Sequence, residues 1–304
     1  MTAAATRPRP RDRSVRYHLA VLAMALALPV TLFVGVLLWR FADAERARLE
    51  GQASSVARAA AHAVDQELAG LVSMVDVLSL FDSLRTGDLQ TFDGQARGVR
   101  ERTGINVVLR DPSGRQLINT RRPRGEPLPD SVLDFDAEAL RTGRAVVSGL
   151  FTGAVAQEPL FAVGRPVARG DAEGGEAAYL ISLSLPVERV RQALVADLAS
   201  SGVPADWIVA VVDGAGLILT RNRTTEGFVG RPATRDFQDS TRGRSEGSWK
   251  GTTVDGTPVF AAFVRSRLSG WSVGVGVPES VLDAPLRRAL LLLLALGAGV
   301  GALS

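Results

Sequence analysis

Two uncharged apolar runs bracket this chain and constrain everything that lies between them. Leu19–Trp39 follows an arginine-rich tail, and Ala289–Leu303 stands at the other end. The first run holds 21 residues, interrupted only by Pro29, Thr31 and Gly35. At about 1.5 Å of rise per residue it reaches about 31 Å, which matches the hydrocarbon core of a bilayer. Arg7, Arg9, Arg11, Arg13 and Arg16 precede it, opposed by Asp12 alone, and such a tail stays cytoplasmic. Trp39 stands where an interfacial aromatic belongs. A cleaved secretory signal is the alternative, and Ala42-Asp43-Ala44 resembles a cleavage site. Signal cores are shorter, however, at about 7–15 residues. The second run, about 23 Å of helix, is read as the start of a returning membrane helix that is truncated at Ser304; a buried soluble helix is its alternative. If both runs insert, roughly 245 residues lie together on one side of the membrane.

The formal charge of +3 does not point to nucleic acid. The tail carries +4, Arg40 one more and Arg287 with Arg288 two, which leaves residues 41–286 at about −4. An acidic segment without interleaved basic and aromatic residues does not suit a phosphate backbone, so no nucleic-acid partner is expected. Lys250 is the only lysine, and cysteine is absent, which excludes disulfide and thiolate chemistry.

The central segment repeats itself at a spacing near 100 residues. Val107-Val108-Leu109-Arg110-Asp111-Pro112-Ser113-Gly114 leads into Gln116-Leu117-Ile118-Asn119-Thr120-Arg121. Val209-Ala210-Val211-Val212-Asp213-Gly214-Ala215-Gly216 leads into Leu217-Ile218-Leu219-Thr220-Arg221. Each copy reads as a β-branched strand, an Asp-x-x-Gly turn and a returning strand. Gly149-Leu150-Phe151 is echoed by Gly247-Ser248-Trp249, Pro159-Leu160-Phe161-Ala162 by Pro258-Val259-Phe260-Ala261, and Leu185-Pro186-Val187-Glu188 by Val277-Pro278-Glu279-Ser280. Alternation places Tyr179, Ile181, Leu183 and Leu185 on one strand face, and Trp271, Val273, Val275 and Val277 on another. Asp255-Gly256 signals a hairpin. Each copy is therefore predicted as two strands, a crossover containing a helix, and a three-stranded antiparallel meander.

Upstream, residues 42–84 read as one long helix. Val64, Leu68, Leu71, Val75 and Leu78 recur at heptad spacing, a seam able to pack on the repeats or on a second copy of itself. Leu89, Phe92, Ala96 and Val99 mark a shorter amphipathic helix with Gly104 as its stop.

Together these features resemble the double Cache ectodomain of bacterial transmembrane receptors. More narrowly, Asn119-Thr120-Arg121-Arg122-Pro123 with Gly125 and Pro127-Leu128-Pro129 is similar to the membrane-distal module of alphaproteobacterial sensor histidine kinases of the HWE type. Ser269-Gly270-Trp271-Ser272-Val273, Gly276-Val277-Pro278 and Ala284-Pro285-Leu286-Arg287-Arg288 are similar to their membrane-proximal end. The resemblance implies an α+β fold, with a long N-terminal helix, two tandem PAS-like antiparallel-sheet modules and flanking transmembrane helices. The corresponding division is a tail over 1–16, a membrane helix over 17–40, a periplasmic double Cache domain over 41–285, and the start of a second membrane helix over 286–304. Within the domain, the long helix covers 42–84, the distal module 88–200 and the proximal module 203–280. The chain lacks the family's phosphoacceptor histidine box and ATP-binding domain.

Catalytic and metal chemistry find no support in the residues. His18 and His62 are the only histidines, too few for a histidine-rich metal site or a Ser-His-Asp triad. Gly297, Gly299 and Gly301 mimic a nucleotide loop, but no strand precedes them. Asp111 and Asp213 sit in turn sequences. No catalytic residue, metal site or cofactor is expected.

The resemblance implies a small-molecule cavity between the sheet and the crossover of the distal module, in the region from Asn119 to Tyr179. Arg121, Arg122 and Arg124 cluster just beyond the second strand, where a guanidinium fork suits a carboxylate. Arg165 is an odd charge in phase with Phe161, Val163 and Val167, and Phe151, Phe161 and Tyr179 are candidate apolar walls. The alternative is that these arginines are solvated or paired with acidic residues. One tyrosine and no tryptophan between residues 100 and 200 leave the family's amino-acid-binding pattern unrecognisable. A small carboxylate is the expected ligand class. The implied protein is an inner-membrane sensor, homodimeric, with its N-terminus cytoplasmic. Its partners are membrane lipid and, through an output part, a histidine kinase module or response regulator. A chemoreceptor, a cyclic-dinucleotide signalling protein or a stand-alone anchored periplasmic binding protein is the alternative.

Overall fold

The structure is a computed structural model describing residues 15–170, 177–223, 227–285, 287–288, 290–292 and 294. Helix α1 (Val15–Ser79) is followed by α2 (Asp82–Thr86) and α3 (Leu89–Thr103). The first sheet is built from β1 (Asn106–Arg110), β2 (Gln116–Asn119), β3 (Val146–Val147), β4 (Phe151–Thr152), β5 (Pro159–Ala168) and β6 (Ala177–Pro186), with α4 (Asp136–Thr142) in its crossover. Helix α5 (Glu188–Ser200) leads to the second sheet, β7 (Ile208–Val212), β8 (Ile218–Arg221), β9 (Glu246–Thr252), β10 (Pro258–Arg265) and β11 (Ser272–Pro278), with α6 (Arg235–Thr241) in its crossover and α7 (Glu279–Leu282) after it.

Two compact units are present, Glu50–Glu279 and Met1–Leu49 with Ser280–Ser304. In the second of these, Leu32, Phe33, Trp39, Leu291 and Leu294 are exposed, and Arg46 pairs with Asp283 at 3.6 Å. The apolar run Leu19–Trp39 lies within α1, but the side chains of much of its first half fall outside the described residues, as does most of Ala289–Leu303. Among the described residues no helix is long and apolar enough to cross a membrane.

In the larger unit, the two sheets repeat one plan. Their strand orders are β2-β1-β6-β5-β3 and β8-β7-β11-β10-β9. The third meander strand of the first sheet is split into β3 and β4, both paired with β5. The repeat extends to individual pairs. Leu160 faces Pro186 as Val259 faces Pro278. Asn106 faces Ser184 as Ile208 faces Gly276. The bulge between Leu109 and Arg110 recurs between Val211 and Val212. In each Asp-x-x-Gly turn the glycine N–H donates to the aspartate carbonyl, Gly114 to Asp111 at 3.0 Å and Gly216 to Asp213 at 3.1 Å. Both glycines have positive φ, 92° and 85°, the left-handed position that closes a three-residue hairpin loop.

Helix α1 buries the predicted heptad seam against its own chain. Val64, Leu68, Leu71, Val75 and Leu78 are each at most 2 % exposed, and Ala53, Ala57 and Ala60 extend the stripe. Full burial of each such leucine or valine contributes about 1.5–3 kcal/mol. Ion pairs and hydrogen bonds tie the same helix to both sheets. Asp76 accepts from Arg165 on β5 at 2.7 Å, and Arg58 donates to Glu246 on β9 at 3.5 Å. Ser266, after β10, bonds Asp65.

The helix expected over 42–84 begins earlier and breaks before its expected end. Leu80 and Phe81 donate to Val77 and Leu78 in a closing turn, and Phe81 is extended at ψ 127°. That break sets the Phe81 ring edge-on to Phe92 of α3 at 6.3 Å, a contact a continuing helix would not make. Helix α3 follows the sequence pattern, with Phe92 and Ala96 buried and Gly104 (φ 73°) at its end.

Candidate functional site

Strand alternation turns Asn106, Val108 and Arg110 of β1 toward the crossover of the first module, where they line a cavity of about 230 Å³. Gln116 and Asn119 of β2 and Ser182 and Ser184 of β6 complete its floor. Ser131–Leu133 and Phe151–Ala156 cover it. The floor is unusually polar for a buried sheet face, and its groups are mutually bonded. Thr120 Oγ1 donates to Asn106 Oδ1 at 2.9 Å, Asn119 Nδ2 to Gln116 Oε1 at 2.9 Å, and Gln116 Nε2 to Ser131 Oγ at 3.0 Å.

Arg110 dominates the electrostatics. It is 1 % exposed, and its two terminal nitrogens grip the Asp136 carboxylate at 2.5 and 2.7 Å. One of them also donates to the Ser131 carbonyl at 2.8 Å. Asp136 in turn accepts from the Leu133 N–H at 2.8 Å, so the pair pins the cavity's cover to its floor. The Nε of Arg110 is buried without a hydrogen-bond partner. Sequence reasoning missed this residue, although the repeat carries a signal for it. Arg110 occupies the β1 position that Val212 occupies in β7, so a charge stands where the second copy is aliphatic.

The six residues expected at the site are divided by the fold. Arg121 and Phe151 line the cavity, Arg121 with its guanidinium 2.8 Å from Glu158. Arg122 lies outside the lining and pairs with Glu126 at 3.1 Å in solvent. Phe161 and Arg165 alternate with Leu160, which faces the cavity, and so point to the opposite side of β5. There Phe161 meets Trp271 edge-on at 5.4 Å, and Arg165 finds Asp76. The charge that looked out of place on an apolar face has its counter-ion on α1. Tyr179 is buried but also lies outside the lining.

Asp111 and Asp213 do form turns. Asp111 Oδ1 accepts from the Ser113 hydroxyl and N–H and from the Arg115 N–H, and these bonds hold its carboxyl below the usual range. Asp213 Oδ1 accepts from Ala215 and Leu217 N–H in the same way. Its other oxygen accepts from the Leu150 N–H of the first module at 2.9 Å. Among the described residues no cluster of three ligating side chains is placed to hold a metal. A lining of amides, hydroxyls and guanidinium suits reversible recognition of a polar solute.

No family model matches the chain, and no curated protein does. Solved structures match its fold. The extracellular domain of rpHK1S-Z16, described as a histidine kinase, aligns with a TM-score of 0.58 at 16% identity over 78% of this chain and 98% of that one. The ligand-binding domain of the Pseudomonas fluorescens chemoreceptor CtaA, in complex with L-isoleucine, aligns at 0.59 and 13% identity over 80% of this chain and 97% of that one. That of the Pseudomonas aeruginosa amino-acid chemoreceptor PctB, in complex with L-Arg, aligns at 0.56 and 17% identity over 76% and 96%. At such identities the relation is one of fold. The chain has the α+β double Cache architecture, a long helix followed by two tandem PAS-like antiparallel sheets.

Proposed function

We propose that this chain is the extracytoplasmic sensing region of a membrane receptor, binding a small polar molecule in the cavity of the first module. The observation that carries this reading is the buried polar floor. A 1 %-exposed guanidinium whose Nε has no hydrogen-bond partner is part of the lining of about 230 Å³ of space, beside Asn119, Arg121 and three serines. Buried polar groups are costly unless satisfied, and a ligand's oxygen atoms supply the missing acceptors. Among the described residues the cavity lining carries no aspartate or glutamate, so the ammonium of a free amino acid would find no ion-pair partner in it. A small carboxylate without an ammonium group is the ligand class that fits. In this assignment Arg121 and Phe151 contact the ligand, while Arg122, Phe161, Arg165 and Tyr179 serve the surrounding structure.

In this reading Leu19–Trp39 crosses the inner membrane and Ala289–Leu303 begins a second membrane helix, with the tail cytoplasmic and residues 41–285 periplasmic. The run length, the arginine-rich flank and the exposed Leu32 and Phe33 support that placement. The receptor works as a homodimer, and the output is a histidine kinase, following the similarity of the Asn119–Pro129 and Ser269–Arg288 segments to HWE-type receptors. A ligand that prefers one arrangement of the first module biases α1, which is ion-paired to both modules. Shifts of about 1–2 Å between packed helices are enough in known switches.

A thermal-unfolding screen of the full chain in lipid nanodiscs against small dicarboxylates and hydroxy acids tests the reading. A ligand-dependent rise in midpoint that is lost in Arg121→Ala supports it. Binding that survives both Arg121→Ala and Asn119→Ala would remove the cavity from the mechanism.

A further inference from the structure

The second module holds a cavity at the place of the first, with its chemistry inverted. Val108 pairs with Asn119 and Ser182 as Ala210 pairs with Arg221 and Gly274, so the registers match the two floors position by position. Ile208 stands where Asn106 does, Val212 where Arg110 does and Ile218 where Gln116 does. Gly274 and Gly276 replace Ser182 and Ser184. Most of the polar floor has become aliphatic.

The walls are largely apolar too. Phe237 of α6 and Trp249 of β9 stand edge-on to each other at 5.6 Å, and both line the space. Glycine at 274 lets the Phe237 ring lie close on the sheet, since a Cβ there would fall 2.8 Å from it. Polar side chains in the wall are already engaged. Thr234 Oγ1 accepts from the Phe237 N–H at 3.4 Å, and Thr253 Oγ1 donates to Asp255 and accepts from the Thr257 N–H. The Arg221 guanidinium is held by the Phe228 ring at 4.4 Å and by Asp255, which lies outside the lining, at 3.5 Å.

The cavity measures about 80 Å³. Protein interiors are close-packed, and the lining of an unfilled space forfeits its contacts there. Water is a poor filler, because it needs polar partners that this wall has committed elsewhere. Apolar cavities stay dry, and an engineered one of about 150 Å³ takes benzene or xenon. About half that space suits a guest of about three heavy atoms. We infer that the second module binds a small neutral apolar molecule, of the size of cyclopropane, against Ile208, Val212, Ile218, Phe237 and Trp249. The lining reaches the surface at Thr252, exposed at the β9–β10 turn, which gives the guest a way in. Val212 leads straight into Asp213, whose Oδ2 accepts from the Leu150 N–H of the first module. A guest against Val212 is therefore one residue from the junction of the two modules.

Methyl NMR of the full chain in lipid nanodiscs, titrated with cyclopropane, tests the inference. At the best efficiency per atom a three-atom guest binds with a Kd of about 1 mM, so the titration runs through that range. The methyl signals of Ile208, Val212 and Ile218 should shift and saturate, and acetate at the same concentrations should leave them in place. Ala210→Leu fills the cavity and should abolish the shifts. Ile218→Ala enlarges it and should admit benzene, read on the Ile208 and Val212 methyls, where the parent excludes it; this second variant carries the test if the first fails to fold. Absence of saturable shifts in the parent would overturn the inference, as would equal shifts with acetate or in a folded Ala210→Leu protein. So would benzene binding equally to the parent and to Ile218→Ala. The site does not depend on the first cavity, and a first cavity that proves empty in the dicarboxylate screen leaves these outcomes intact.

Discussion

Trp271 of the second module donates its indole N–H to the Ser148 carbonyl of the first, at 3.1 Å in a fully buried position. Two residues along, the Leu150 N–H donates to Asp213 Oδ2, so the segment Ser148–Leu150 is clasped from both sides. That segment runs directly into Phe151 and Thr152, which line the first cavity. The junction between the modules and the wall of the candidate site are therefore one piece of backbone.

Removing the clasp should destabilise both modules together. Asp213→Ala deletes three amide-to-carboxylate bonds, two in its own turn and one across the junction. A hydrogen bond to a charged group contributes about 1.5–3 kcal/mol, so a loss of at least that size is expected in urea unfolding. Gly149→Ala should act at the same place, because its Cβ would fall 2.8 Å from Asp213 Oδ2. A Gly149→Ala protein as stable as the parent would show that the junction has slack.

The Arg110–Asp136 pair is buried at 1 % and 8 % side-chain exposure. Breaking one side of such a pair leaves an uncompensated charge, which costs about 3–5 kcal/mol. Asp136→Asn should show a loss of that order by chemical denaturation. The double variant Arg110→Met/Asp136→Leu should recover most of it, because two apolar groups replace the pair. A double variant no more stable than Asp136→Asn would mean that Asp136 acts through the Leu133 N–H rather than through the charge.

The pattern of the fold was legible because it is periodic and written twice. Heptad spacing marked the buried face of α1, and the paired Asp-x-x-Gly turns located β1–β2 and β7–β8. What the helix seam would cover stayed open, because heptad spacing specifies a buried stripe and not its partner. The site was legible only in part. Of the residues expected at the site, Arg121 and Phe151 line the first cavity, while strand phase sets Arg165 and Phe161 on the opposite face of β5. An aromatic and an arginine in step look like a binding face until the opposite face is known to be the one that holds the cavity. Arg110 escaped notice because its meaning depends on Asp136, whose contact is made only by folding.

Asp93 of α3 accepts from Arg97 Nε at 3.0 Å and from Arg124 Nε at 2.5 Å, fastening the crossover's start to the helix. Burial raises its pKa, yet the two guanidinium bonds and their charges prevail and hold it below the ordinary 3.8. A carboxyl depressed in the folded state contributes stability that is present above its unfolded value and lost as pH falls through the folded one. Stability should therefore decline as pH drops below 3.8, over the window where Asp93 takes up its proton. In Asp93→Asn the plateau at neutral pH should be lower and this part of the acid limb flatter. Parallel limbs in the two proteins would exclude Asp93 from the acid transition.

Arg165 offers a way to separate tethering from recognition. It was a candidate ligand contact in sequence, and the fold instead sets it 2.7 Å from Asp76 on α1, with both side chains partly exposed at 28 % and 43 %. Screened pairs of this kind contribute about 0–1 kcal/mol, so neither Arg165→Ala nor Asp76→Ala should unfold the protein. If Arg165 is a tether, ligand affinity in the first cavity should be the same in Arg165→Ala, Asp76→Ala and the parent. The coupling between them should appear only in a double-mutant cycle of stability, and it should shrink at high salt. A ligand affinity that falls in Arg165→Ala but not in Asp76→Ala would return the residue to the binding site, because only one of the two substitutions would then touch the ligand.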